Sequence, residues 1–244
     1  MKKKLYFIVI IVSFTLLMAG CQEFRDAVGN ETTSGVDIDI SINIDSGTGS
    51  RDEDFVHEIL YFDPFDRIEI YGVFDVIYRQ SDEHRVELHI QPWVLEVTEI
   101  SVSDRQLQVS QPPRLSFQNE PTPRIYIYAP TLTDISLDGV IMASGWSEIH
   151  VDQLTLDIDG VTTVEIKGSA TTALINVDGV TTMNGLNLET QSMVLDVNGV
   201  SDVSVSVSDD FDIFIRGVNT VRYRGNPVIN ERYLDFTSTL REVN

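Results

Sequence analysis

The chain has 244 residues, 42% of them hydrophobic, and sets 38 acidic side chains against 17 basic ones for a formal charge of −21. That apolar content supports a sizeable core and argues against global disorder, while the acidity repels phosphate backbones and excludes nucleic acid as a partner. A single cysteine, Cys21, leaves no internal disulfide framework and no cysteine-rich zinc site.

The chain opens on Lys2-Lys3-Lys4, continues through an apolar run from Leu5 to Met18 broken only by Ser13 and Thr15, and arrives at Ala19-Gly20-Cys21. A basic start, a short apolar stretch and small residues before a cleavage point describe a secretory signal peptide over residues 1–20. The apolar run falls short of the ~20 residues that a membrane-spanning helix needs. Leu17-Met18-Ala19-Gly20-Cys21 resembles the bacterial lipoprotein lipobox, which implies that Cys21 becomes the lipid-modified first residue and that the membrane is a partner through it. Acyl chains contribute about 0.8 kcal/mol per buried methylene, so a multiply acylated cysteine holds even an acidic protein on a bilayer. Gln22 stands where an Asp would resemble an inner-membrane retention signal, which points to the outer membrane if the host is Gram-negative. Without the three leading lysines, 14 basic residues face 38 acidic ones, a formal charge of −24.

Residues 21–60 read as an acidic tether. The stretch from Asp45 to Asp54 mixes Gly, Ser and charge in the manner of a self-repelling linker. Just before it, Val36-Asp37-Ile38-Asp39-Ile40-Ser41-Ile42-Asn43-Ile44-Asp45 alternates without a break, the signature of a half-buried strand that adds to the edge of the main domain. Its acidic positions do not fit a calcium loop, which needs Gly at the sixth place and Glu at the twelfth.

An internal repeat dominates the second half of the chain. Leu137-Asp138-Gly139-Val140, Ile158-Asp159-Gly160-Val161, Val177-Asp178-Gly179-Val180, Val197-Asn198-Gly199-Val200 and Ile215-Arg216-Gly217-Val218 carry glycines 21, 19, 20 and 18 residues apart. A sixth copy around Gly72 lies 67 residues before Gly139, an interval that reads as about three further turns with an insertion. Apolar residues recur two and four places before each glycine, and Val stands immediately after each one. The period is too short for a strand plus a helix, and no 3.6-residue pattern is sustained, so each period holds short strands. In-register apolar columns are buried by stacking one coil on the next at about 4.8 Å. The fold expected is all-β: a right-handed parallel β-helix or β-solenoid with coils of about 20 residues, its handedness set by the rule for parallel crossovers. Gly72, Gly139, Gly160, Gly179, Gly199 and Gly217 are expected at corners that need positive φ or close backbone approach. On this pattern Val180 faces the core and Thr181 the solvent, so Val180→Asp is expected to unfold the domain and Thr181→Asp to be tolerated.

Phe65-Asp66-Arg67-Ile68-Glu69-Ile70-Tyr71-Gly72-Val73-Phe74-Asp75-Val76 resembles the opening motif of the auto-transporter adhesin head GIN domain family, a bacterial family of β-helical cell-envelope proteins. The run from Ile215 to Pro227 is similar to that family's final repeat. The resemblance covers residues 61–232 and leaves 233–244 as a C-terminal cap or tail. Val after the glycine departs from the small residues common there, and the segment Gln111–Pro123 is a proline-rich insertion. The family name implies adhesion and carries over no catalytic residue.

Candidate chemistry is sparse. Asp138, Asp159 and Asp178 form a column that a calcium ion would suit, since stacked carboxylates repel. The favoured reading leaves them outward and hydrated, with Asn198 and Arg216 ending the run. Basic groups for a polysaccharide-active enzyme, His150, Lys167, Arg216, Arg222 and Arg224, fall in different columns. His57, His84, His89 and His150 lack zinc spacing, and no serine sits in a nucleophile elbow. The aromatic group Tyr61, Phe62, Phe65, Tyr71, Phe74 and Tyr78 reads as a cap over the first coil. The sequence therefore describes a non-catalytic, lipid-anchored protein of the cell envelope that needs no cofactor and contacts an envelope protein or glycan. A calcium-dependent carbohydrate-binding module is the alternative, and a polysaccharide-active enzyme comes third.

Overall fold

The structure is a computed structural model and describes residues 55–244 apart from 114, 116 and 118–120. The expected signal peptide, Cys21 and the expected edge strand at 36–45 lie outside the described residues. Period-two alternation decides almost everything that is described. In chain order the elements are β1 (Val56–Tyr61), β2 (Arg67–Gln80), β3 (Arg85–Ile90), α1 (Pro92–Leu95), β4 (Glu99–Ser103), β5 (Gln106–Ser110), β6 (Arg124–Ala129), β7 (Asp134–Ala143), β8 (Ile149–Val177), β9 (Val180–Gly217), β10 (Thr220–Arg224), β11 (Val228–Leu234) and β12 (Thr239–Glu242). The protein is all-β, with a large, mostly parallel sheet that does not close on itself. Residues 56–60, expected in the tether, belong to β1, which pairs antiparallel with β3 and places Val56 and Leu60 against the core.

The parallel part is in register at the glycines. Gly72 lies beside Gly139 and Gly139 beside Gly160, and the residue after Gly160, Val161, lies beside Val180. The 67-residue interval is thus not three further turns. β2 pairs directly with β7, and the intervening chain forms β3, α1, β4, β5 and β6. Of these, β5 pairs with residues 67–71 of β2 and β6 with residues 75–80. They are two halves of one pass, interrupted by the proline-rich insertion. Antiparallel β4 on β5, and β3 with β1 on β6, finish that end.

Strands of 29 and 38 residues, β8 and β9, far exceed the usual 3–10. They turn as they go. The Val200 N–H donates to the Gly179 carbonyl and the Val218 N–H to the Gly199 carbonyl, so each stretch lies beside the one about a period earlier. Gly139 shows why glycine stands at these turns. Its φ is +128°, and a Cβ there would sit 2.1 Å from the carbonyl oxygen of Gly72 in the neighbouring pass.

The columns two and four places before the glycines are buried throughout, from Ile135 and Leu137 to Ile213 and Ile215. Each such side chain contributes roughly 1.5–3 kcal/mol by leaving water. The column one place after the glycine is outside instead: Val140, Val161, Val180, Val200 and Val218 are 53–56% exposed, whereas Thr162, Thr181, Ser201 and Asn219, two places after, are buried. The expected orientation of Val180 and Thr181 is therefore reversed. Alternation continues through the glycine without a phase change, and strand geometry, not hydrophobicity, selects the face. Thr162 Oγ1 and Thr181 Oγ1, 2.8 Å apart, satisfy each other, whereas the Ser201 hydroxyl is buried without a protein partner.

Candidate functional site

The outward columns before the glycines form an acidic face. Asp138 lies beside Asp159. Partial burial, and secondarily the charge of Asp159, raises the Asp138 carboxyl above the usual carboxylate range. Polar partners interrupt the remaining carboxylates. Asn176 Nδ2 donates to Asp157 at 2.6 Å, Asn198 Nδ2 to Asp178 at 3.3 Å, and Arg216 Nη1 to Asp196 at 2.5 Å. Asp138, Asp159 and Asp178 thus line one shallow depression of about 440 Å³ together with Asn198 and Arg216. Among the described residues, no group of three or more His, Cys, Asp or Glu side chains is placed to hold a metal ion. Arg222 is bound to Asp202, and Arg224 donates to the Leu186 carbonyl.

Gly72, Gly139, Gly160, Gly179, Gly199 and Gly217 all have positive φ and form a ridge of bare backbone between the acidic columns and the exposed valines. The early aromatics divide. Phe65, Phe74 and Tyr78 are buried, whereas Tyr61 and Tyr71 remain more than a third exposed. The Tyr78 hydroxyl donates to the Ala129 carbonyl at 3.1 Å, and burial pushes its pKa up to about 12. Trp146 packs edge-on against Tyr78 and donates its indole N–H to the Val76 carbonyl at 2.7 Å. In the insertion, Phe117 rests against Trp93 with ring centroids 5.6 Å apart. His57 stacks on His89 at 4.0 Å because β1 and β3 set them directly opposite, a pairing that spacing along the chain does not reveal.

A larger concavity lies elsewhere. A groove of about 1480 Å³ crosses successive passes of the chain, from Thr131 through the segments near 150, 170, 190 and 207 to Gly225. Its rails are rows of polar side chains. His150 Nδ1 is 2.9 Å from Ser169 Oγ, Ser169 lies beside Glu189, and Ser206 lies beside Arg224. Thr190 joins the rows by donating to the Ser206 carbonyl at 2.7 Å. Thr131 Oγ1, at one end, is buried without a protein hydrogen-bond partner. In the sequence His150 stands out only as a scattered base. Extending the glycine period to it leads to Ser169, 19 residues on, and then to Glu189, 20 residues after Ser169, which is the signal that could have found this groove.

A family model described as "Putative auto-transporter adhesin, head GIN domain" matches residues 64–227. A crystal structure of a "putative adhesin" from Bacteroides fragilis is similar with a TM-score of 0.63 at 20% identity, covering 78% of this chain and 97% of that one. A second "putative adhesin", from Parabacteroides merdae, aligns with a TM-score of 0.43 at 14% identity over 78% of this chain and 96% of its own. No curated protein matches.

Proposed function

The chain belongs to the auto-transporter adhesin head GIN domain family, and from that premise we propose that it acts by contact, as a non-catalytic adhesive module displayed in the cell envelope. The observation that carries this is the register of the parallel passes. Side chains at equivalent positions of β2, β7, β8 and β9 fall in rows, so that a ladder of backbone hydrogen bonds presents a fixed, repeating surface. Loops and side chains held on rigid scaffolds are where recognition concentrates. Parallel pairing at intervals of 19–21 residues, with each glycine over the one before, supports reading the sheet as a β-solenoid. The lipobox at Leu17–Cys21 supports a lipid anchor at Cys21, with a tether after it that holds the module away from the bilayer.

Two measurements test this. Full-length protein made in a Gram-negative host is expected to take up a palmitate label and to fractionate with membranes, and Cys21→Ser to do neither. Beads carrying the full-length chain are expected to retain bacterial cells above the level of bare beads. Retention no greater than the blank overturns the adhesive role, whatever the label shows.

A further inference from the structure

The geometry points to the groove between Thr131 and Gly225 as a binding site for an extended, uncharged polysaccharide strand lying along the stacking direction. This deepens the adhesive reading and rests on it. Length comes first. The lining is drawn from six successive passes, and at 4.7–4.9 Å between strands these span ~24 Å. That repeat is close to the rise of successive sugars in an extended β-linked chain, so that equivalent side chains meet equivalent hydroxyls.

Chemistry comes second. The rails offer hydroxyls from Ser169, Thr171 and Ser208, the amide of Gln191, a donor and an acceptor at His150, and acceptors at Glu189. Such a surface recognises a ligand made of hydroxyl groups. Charge comes third. Asp134, Asp152 and Glu189 line the groove against Arg224, which is turned to the Leu186 carbonyl, and His150, which lies 3.2 Å from Glu148. Uronic acid and sulfated chains are disfavoured there. A peptide strand is disfavoured too, because the backbone of the groove is already paired, with Ser169 and Ala170 beside Glu189 and Thr190, and it presents no free sheet edge.

The test is affinity electrophoresis of the full-length chain in detergent through gels containing xylan, mannan or mixed-linkage β-glucan. Polygalacturonate and chitosan serve as charged controls. At least one neutral polymer is expected to retard the wild type. Gln191→Trp and Thr171→Trp, both at exposed positions, fill the groove and are expected to weaken that retardation at least tenfold with unchanged melting temperature. No retardation by any neutral polymer, retardation by a charged polymer alone, or equal retardation of wild type and both variants overturns the proposal. The bead assay separates the two levels. Wild-type beads that hold cells but show no polysaccharide binding overturn the glycan site alone, and wild-type beads that hold no cells overturn the adhesive role beneath it.

Discussion

At single residues the decisive fact is that a repeat copies geometry as well as composition. Gly179 has a φ of +96°, and a Cβ there would lie 2.3 Å from the Gly160 carbonyl oxygen. Gly179→Ala therefore costs more than the roughly 1–2 kcal/mol of a left-handed residue, because backbone must also move. Gly145→Ala, at a φ of +65° with nothing within 4 Å of the added carbon, is expected to cost that penalty alone, and thermal melts of the two variants compare them directly. Thr181→Asp puts an unpaired charge beside Thr162 in the core and should destabilise by about 3–5 kcal/mol, whereas Val180→Asp, on the surface, should stay within about 0.5 kcal/mol. The glycines are legible in the sequence because their spacing is regular. The valines mislead because an apolar residue repeated in every copy looks like core, although period two already places it outside. Asp138 offers a test by titration. Its carboxyl is raised in the folded protein, so the folded state binds more protons than the unfolded chain between the two pKa values, and the charged form destabilises at neutral pH. Asp138→Asn should thus raise the melting temperature at pH 7, with the gain shrinking as pH falls through the raised pKa and vanishing below the unfolded value.

At the level of elements, the first pass shows what the repeat requires by lacking it. Gln111 donates its backbone N–H to the Tyr71 carbonyl and so continues from Ser110 into the position beside Gly72, where the passes of β2, β7, β8 and β9 have a glycine. No further pass of glycine backbone lies beyond it, so a side chain is allowed there, and Gln111 Oε1 accepts the Val73 N–H at 2.9 Å. Asn219, two places after Gly217, also joins its side-chain amide to the backbone, although the pass of β11 and β12 lies beyond it. Its Oδ1 accepts the Ser201 N–H at 2.7 Å and its Nδ2 donates to the Arg216 carbonyl at 2.6 Å. Gln111→Ala or Asn219→Ala leaves a buried backbone group unpaired and should each cost about 1–3 kcal/mol in chemical denaturation. Effects below half of that in both would mean that water replaces the amides. Strands β5 and β6 can be read from their alternation. Their place beside β2 cannot, because pairing between β2 and chain 39–49 residues later leaves no local mark. The groove is hidden for a related reason: His150, Ser169 and Glu189 share no residue type, and only the register makes them neighbours.

Across the whole molecule, charge and shape oppose each other. The stacked fold leaves a stripe of five exposed valines in register, with Met142 53% exposed and Phe236 fully exposed. It also leaves the outer edges of β1 and β12 without a strand partner in the sheet order among the described residues. Stripes and edges of this kind favour association between copies. What opposes it at neutral pH is the net charge of −21, to which the acidic face beside the same valines contributes Asp138, Asp157, Asp159, Asp178 and Asp196. The balance is set by pH, since the sequence pI is about 4.3. Light scattering in low salt should therefore report a dispersed protein near pH 7.5 and rising association as the pH approaches the pI. Raising the salt at pH 7.5 should push in the same direction more weakly, because screening shortens the repulsion without removing the charge. If the valine stripe is the surface that then meets, the double variant Val161→Thr, Val180→Thr should associate less than the wild type near the pI while its melting temperature at pH 7.5 is unchanged, since both side chains are exposed. Equal association of variant and wild type would assign the contact to the strand edges instead, and a lowered melting temperature would show that the valines support the fold from outside.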